Sequence, residues 1–372
     1  MNKLCILFAM VLFFQGSGQE KPNPKTLQPG EKAVDFNLKG VDGNKYTLDS
    51  FSDAKILAVV FSAPHCPTAQ AYEDRLIEIQ NDFSDKGVQL VVINPNHPEA
   101  VALEEMGYSD MGDSFEDMVA RAKDKAYNFP FLYDGDTQET SIAYGPVATP
   151  HAFVFDENRI LRYTGRIDDN ETIGAARQHD MRNAIEALLS GKEVPMKQTK
   201  TFGCSVKWKW KGDWRQKLDA EWAKKEVPLE NLSVRGLKKL MKNDSENLRL
   251  INVWASWCGP CVAEFDELVD TYRMYQARDF EMVTISTDRL DKKEQVREFL
   301  EKKNAAISNN FIFESDKRDD LLDNLDPEWQ GAIPHTVIVE PGGKIVFRSS
   351  GGLDFRELRK AIVENDLIGR YY

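Results

Sequence analysis

The run of residues with the most specific chemistry in this 372-residue chain is Trp257-Cys258-Gly259-Pro260-Cys261. Two cysteines three positions apart on one helical turn share a face, near enough to close a disulfide or to pass one on. A buried-strand pattern, Leu248 to Trp254, precedes the run, and a long helical pattern through Tyr275 follows it. Cys258 therefore arrives at the first turn of a helix. Unpaired N–H groups and the positive end of the helix dipole favour a thiolate there, which makes Cys258 the expected attacking sulfur. Pro260 is tolerated, because a first-turn residue has no intrahelical N–H bond to lose. A structural disulfide and half of a zinc site are the competing readings. Zinc calls for a second Cys or His pair, and the five histidines offer none at that spacing.

The elements that must position this run occur twice. Ile56 to Phe61, Cys66, a helical stretch through Phe83 and Val88 to Ile93 match Leu248 to Trp254, Cys258, the stretch through Tyr275 and Phe280 to Ile285. Cys66 precedes Val91 by 25 positions and Cys258 precedes Val283 by 25, so the halves read as gapless copies. Further on, Thr149-Pro150-His151 and Ile333-Pro334-His335 each lead into a strand, a turn, a partner strand and a terminal helix. Helices between apolar strands imply parallel pairing, and a closing hairpin adds antiparallel pairing. The expected class is α/β: two tandem domains, 28–195 and 230–372, each a mixed β-sheet flanked by helices. Residues 196–229 form the linker. Over 192–225, ten Lys or Arg face four Asp or Glu, with Trp208, Trp210, Trp214 and Trp222 interleaved. Aromatics packed on a domain with solvated basic groups account for that composition, with docking of a partner as the alternative.

Composition narrows the function classes. With 42% hydrophobic and 29% charged residues the chain is of globular type, and its length suits roughly two domains of about 150 residues. A net charge of −12 opposes a phosphate backbone, so no nucleic-acid partner is expected. Residues 1–18 read as a signal peptide: a lysine, an apolar stretch from Leu4 to Phe14, then Gly16, Ser17 and Gly18. The stretch is about half the length that spans a bilayer, so no stable membrane insertion is expected. Its removal takes Cys5 with it and leaves Cys66, Cys204, Cys258 and Cys261 in an oxidising compartment. A Cys66–Cys204 disulfide in at least one state of the exported protein is the expectation for the two outside the C-x-x-C pair.

Residues 230–372 resemble the thioredoxin superfamily, and most of all its exported TlpA/ResA branch. The resemblance implies that Cys258 attacks a substrate disulfide, that Cys261 resolves the mixed disulfide, and that Pro334 is a cis-proline facing the pair. Backbone beside it would then pair with an extended substrate segment. Glu264, in a similar Cys-x-x-Glu-Phe run, matches a glutamate of that branch and is a candidate proton-transfer group. Asp266 stands where relatives carry the proline of a helix kink. His335 is read as a packing histidine.

Residues 28–210 resemble the redoxin, or AhpC/TSA, group and its peroxiredoxin-like branch. The runs that carry the resemblance are Pro29-Gly30-Glu31-Lys32-Ala33, His65-Cys66-Pro67 with Ala71 to Arg75, Ser114 to Met118, and Gly203 to Trp208. Ala63 replaces the first cysteine of the branch's C-x-x-C. Val59 and Ala63 also replace the proline and the hydroxyl residue that frame a peroxidatic cysteine. Cys66 still begins a helix beside His65, and reactive and structural roles are both open.

The expected function is an exported, periplasmic-type thiol-disulfide oxidoreductase, with Cys258, Cys261, Glu264, Pro334 and Cys66 as candidate site residues. It reduces or isomerises protein disulfides without a cofactor. Exported proteins bearing disulfides or thiols and an upstream electron donor are the expected partners. A thiol peroxidase, with Cys66 recycled by the C-terminal pair, and a client-binding or assembly protein are the alternatives.

Overall fold

A computed structural model describes residues 22–315 and 318–371; the expected signal peptide and Cys5 lie outside the described residues. The first half runs β1 (Asn37–Gly40), β2 (Lys45–Thr47), β3 (Ile56–Phe61), α1 (Pro67–Ala71), α2 (Glu73–Phe83) and β4 (Val88–Asn94). It continues through α3 (Phe115–Asp124), β5 (Phe131–Tyr133), α4 (Glu139–Tyr144), β6 (Ala148–Thr149), β7 (His151–Phe155), β8 (Leu161–Gly165) and α5 (Asp180–Leu189). Its main sheet has the order β2-β1-β5-β4-β3-β7-β8, parallel from β3 through β4 to β5 and antiparallel elsewhere.

The connecting segment holds β9 (Cys204–Ser205) and α6 (Gly212–Trp222). The second half runs β10 (Glu230–Leu232), α7 (Val234–Lys242), β11 (Leu248–Trp254), α8 (Gly259–Tyr275), β12 (Phe280–Ser286) and α9 (Lys293–Lys302). It ends with β13 (Asn309–Phe313), α10 (Arg318–Leu325), β14 (His335–Val339), β15 (Ile345–Ser350) and α11 (Phe355–Val363). The order here is β10-β13-β12-β11-β14-β15. Both sheets are mixed, as the apolar strand runs and hairpin turns imply.

Every residue of β3 and of β11 is buried, which is the mark of a central strand covered by helices on both faces. Alternation then sorts the side chains. Ala58 and Val60 join Leu76, Ile79 and Ile185 on one face, while Leu57, Val59 and Phe61 join Tyr144 and Phe153 on the other. The duplication holds to the residue. Val59 pairs with Val91 and Ile251 with Val283; Phe61 pairs with His151 and Val253 with His335. One copy departs from the pattern. The stretch from Cys66 to Phe83 is broken at Tyr72, whose N–H bonds to Ala69 O and whose buried hydroxyl donates to Asp168, whereas α8 runs unbroken.

In the connecting segment, Trp208 is buried and stacks on Trp210, and buried Trp222 donates from Nε1 to Asn304 O at 2.8 Å. Trp214 is exposed. Residues between β4 and α3 join the two halves. Val101, Leu103 and Met106 enter the core formed by Leu248, Leu268, Met274 and Phe280. Around this plug, Tyr275 donates to Ser109 O at 2.7 Å, Arg278 to Gly107 O at 2.9 Å and Arg273 to Glu104 at 2.9 Å.

Because one core takes side chains from both halves, urea unfolding is expected as a single transition, coincident by far-ultraviolet circular dichroism and tryptophan fluorescence. Met106→Asp buries a charge in an apolar core. It is expected to lower the midpoint and separate the transitions of the halves; an unchanged midpoint would exclude Met106 from the cooperative core.

Candidate active site

The loop from β11 to α8 is tied down before it reaches the cysteines. Ser256 N–H and Oγ both bond to buried Asp288, at 2.8 and 2.7 Å. Cys258 is then the N-cap of α8, its sulfur accepting the Cys261 N–H at 3.3 Å. Cys258 and Cys261 form a disulfide with a Cα separation of 5.3 Å. Cys261 is 1% exposed and Cys258 6%, whereas neighbouring Trp257 is 70% exposed. The Ile333–Pro334 peptide is cis, as expected, and the Ile333 carbonyl lies 3.8 Å from Cys258 Sγ. A cleft of about 340 Å³ opens beside the pair, with Trp257, Phe313, Leu321, Trp329 and Ile333 in its wall.

Glu264 lies one turn beyond Cys261 on α8. Burial pushes its carboxyl up to about 7, against the opposing pull of the Leu353 N–H and the Asn252 side chain. Its Oε1 and Asn252 Oδ1 are both buried, and neither accepts a hydrogen bond among the described residues. Burial favours the neutral acid, whose O–H adds a donor to the pocket, and near neutral pH both forms are populated. The sequence reading omitted Asn252; a lone amide in the buried strand β11 was the available signal. His335 is a packing residue: it stacks on Trp329 with ring centroids 4.7 Å apart and bonds to Ser350 Oγ.

Cys66 repeats the position of Cys258 with different surroundings. It caps α1, accepts the Ala69 N–H at 3.4 Å and donates to the Thr149 carbonyl at 3.1 Å, beside a second cis peptide at Thr149–Pro150. It is completely buried. Cys66 and Cys204 are free thiols here, with Cys204 packed against Cys66; the disulfide expected in at least one state is not the form this structure holds. Burial pushes the Cys66 thiol up, yet the Cys204 S–H and the charge on His65 outweigh it and bring Cys66 to about 6. Burial pushes His65 down in turn, and Asp113, 2.5 Å from Nδ1, raises it above its ordinary value. Asn96 fixes Asp113 through an N–H bond of 2.7 Å. Asp113 and Asn96 were not legible in the sequence, since they lie far from Cys66 along the chain.

Residues 29–164 and 228–348 match the AhpC/TSA family. The chain belongs to the AhpC/TSA family. A provisionally assigned peroxiredoxin of Mycobacterium tuberculosis is 27% identical over 152 residues, 40% of this chain and 84% of that protein. The thiol-disulfide oxidoreductase ResA of Bacillus subtilis is 26% identical over 96 residues, 26% of this chain and 49% of ResA. A hypothetical protein of Sinorhizobium meliloti, known by crystal structure, is 33% identical, with a TM-score of 0.44 and coverage of 50% of this chain and 98% of that one. The strand orders, the helix-capping cysteines and the two cis-prolines are those of a thioredoxin fold, and the chain is an oxidoreductase of the thiol-disulfide class.

In this family member the Cys261 sulfur is shielded from bulk water, so a proton leaving or reaching it needs a nearby acid or base. Glu264 is suited to that exchange near neutral pH. A carboxyl raised from 4.5 to about 7 is disfavoured when ionised, so its contribution to stability declines as pH rises through that interval. Glu264→Gln is expected to flatten the pH dependence of the unfolding midpoint between about pH 5 and about pH 8. The same substitution should remove a step near pH 7 from the rate of disulfide reduction. Identical pH profiles for the two proteins would exclude Glu264 from proton transfer.

Proposed function

We propose that the protein is exported and exchanges disulfides with exported client proteins through Cys258 and Cys261, reducing or isomerising them. One contrast carries this reading: the Cys258–Cys261 pair adjoins an open cleft and an unoccupied strand edge, whereas its counterpart Cys66 is sealed. Among the described residues no strand pairs with Ile333. An extended client segment can add there, and exposed Trp257 offers it an apolar contact.

In the reduced form, Cys258 thiolate attacks one sulfur of the client disulfide. The client S–S bond breaks and its other sulfur leaves as a thiolate. Cys261, losing its proton to Glu264, then attacks Cys258 Sγ, expels the second client sulfur and closes the Cys258–Cys261 disulfide. Two electrons from an upstream dithiol donor restore the pair. The helix N-terminus stabilises Cys258 as the attacking and leaving thiolate. Export rests on the pattern of residues 1–18, and no helix among the described residues is long and apolar enough to cross a membrane.

Cys261→Ala is expected to accumulate mixed disulfides through Cys258, because attack survives and resolution does not; non-reducing electrophoresis and peptide mass spectrometry would identify the adducts. Cys258→Ala is expected to abolish reduction of insulin. Insulin reduction at the wild-type rate by Cys258→Ala would overturn the assignment.

A further inference from the structure

In the first domain, the edge beside Pro150 is occupied by the chain itself. Strand β9 pairs antiparallel with β6, setting Cys204 opposite Thr149 and Ser205 opposite Ala148. Thr149 supplies the carbonyl that faces Cys66, just as Ile333 supplies the one that faces Cys258. We propose that Cys66 and Cys204 form a second dithiol–disulfide couple, in which the segment Gly203–Ser205 presents Cys204 to Cys66 as a built-in client. The likeness to a client rests on the function proposed for the Pro334 edge; the couple itself rests on the packing of Cys204 against Cys66 beside the paired strand.

This segment is built to lie where it does. A Cβ on Gly203 would come within 2.1 Å of Thr149 O, and the residue has φ +134°, so glycine alone permits the approach. Beyond Cys204 the chain is held by groups that involve neither sulfur. Lys207 N–H donates to Asn96 Oδ1 at 2.8 Å, and Lys207 O accepts from His97 N–H at 2.9 Å and from Gln138 Nε2 at 3.0 Å. Asn96 also holds Asp113, the partner of His65, so one buried network positions both sulfurs. Cys204 packs over Ala63, Cys66 and Ala69 and is itself only half-buried. Of the two cysteines it is the more exposed.

That asymmetry orders the chemistry. Take a low-molecular-weight disulfide, RSSR, as oxidant. Cys204, its proton given up to solvent, attacks one sulfur; the S–S bond breaks, RS⁻ leaves and Cys204–S–SR forms. RS⁻ then takes the proton from Cys66. Cys66 thiolate attacks Cys204 Sγ, the bond to R breaks, a second RS⁻ leaves and is protonated, and the Cys66–Cys204 disulfide remains. Two thiols have lost two electrons and two protons, and RSSR has become two RSH.

The test uses the full chain with Cys258→Ser and Cys261→Ser, so that the other pair is silent. The protein is equilibrated with oxidised and reduced glutathione in varied ratio, acid-quenched, alkylated and mapped by peptide mass spectrometry. A crosslinked Cys66–Cys204 peptide should increase with the oxidised fraction. Adding Cys66→Ser should leave a glutathione adduct on Cys204, and adding Cys204→Ser should leave Cys66 as an unmodified thiol. Gly203→Ala, folded by circular dichroism, should lower the crosslink severalfold at a fixed ratio. Free thiols at both positions at every ratio would overturn the couple, and a wild-type crosslink level in Gly203→Ala would overturn its presentation by the strand. Failure here leaves the client reaction intact, because the serine background lacks it; failure of the insulin assay leaves this couple intact.

Discussion

The pairing of Thr149 with Cys204 beside Pro150 decides how the two copies of one fold differ. Backbone N–H and C=O groups at a strand edge must be paired or solvated. In the first domain the protein's own linker meets that requirement, and a completely buried sulfur lies beneath it. In the second domain the corresponding edge at Ile333 stays open next to a cleft and an exposed tryptophan. Both cysteines cap a helix and both face a carbonyl next to a cis-proline. Access, more than local geometry, separates them.

Burial acts in opposite senses at the two sites because their partners differ. Glu264 is desolvated with few donors to compensate, so its neutral form is favoured and it titrates near neutrality. Cys66 is also desolvated, yet the Cys204 S–H and His65 outweigh burial and favour its thiolate. Burial lowers His65, and Asp113, held in turn by Asn96, raises it above its ordinary value. A low local dielectric strengthens whichever interactions are present and leaves unpaired groups costly.

The stretch between β4 and α3 links these features. It supplies Asn96 and Asp113 to the first site and Val101, Leu103 and Met106 to the second core. Ser109 accepts from Gln70 at its hydroxyl and from Tyr275 at its carbonyl. A chain of hydrogen bonds thus runs from the helix that Cys66 begins to the last residue of the helix that Cys258 begins. The two domains are held by a shared core as well as by the linker.

Much of the architecture was legible in the residues alone. Equal spacings from Cys66 to Val91 and from Cys258 to Val283 reappear as equivalent registers, because a gapless repeat fixes which residues face one another across parallel strands. The place of Cys258 and Cys261 at a helix start followed from apolar runs and Pro260, which are local signals. The break at Tyr72 was not legible, since its hydroxyl bonds to Asp168, far along the chain. Nor were the roles of Asp113, Asn96 and Asn252, whose meaning depends on what burial brings beside them. By itself the sequence determined a duplicated α/β redox fold with a C-x-x-C pair at a helix start in the second copy. Only the tertiary structure decided that the linker covers the first copy's edge and sets Cys204 against Cys66 as a free thiol, because solvent access and long-range pairing are properties of the packed chain.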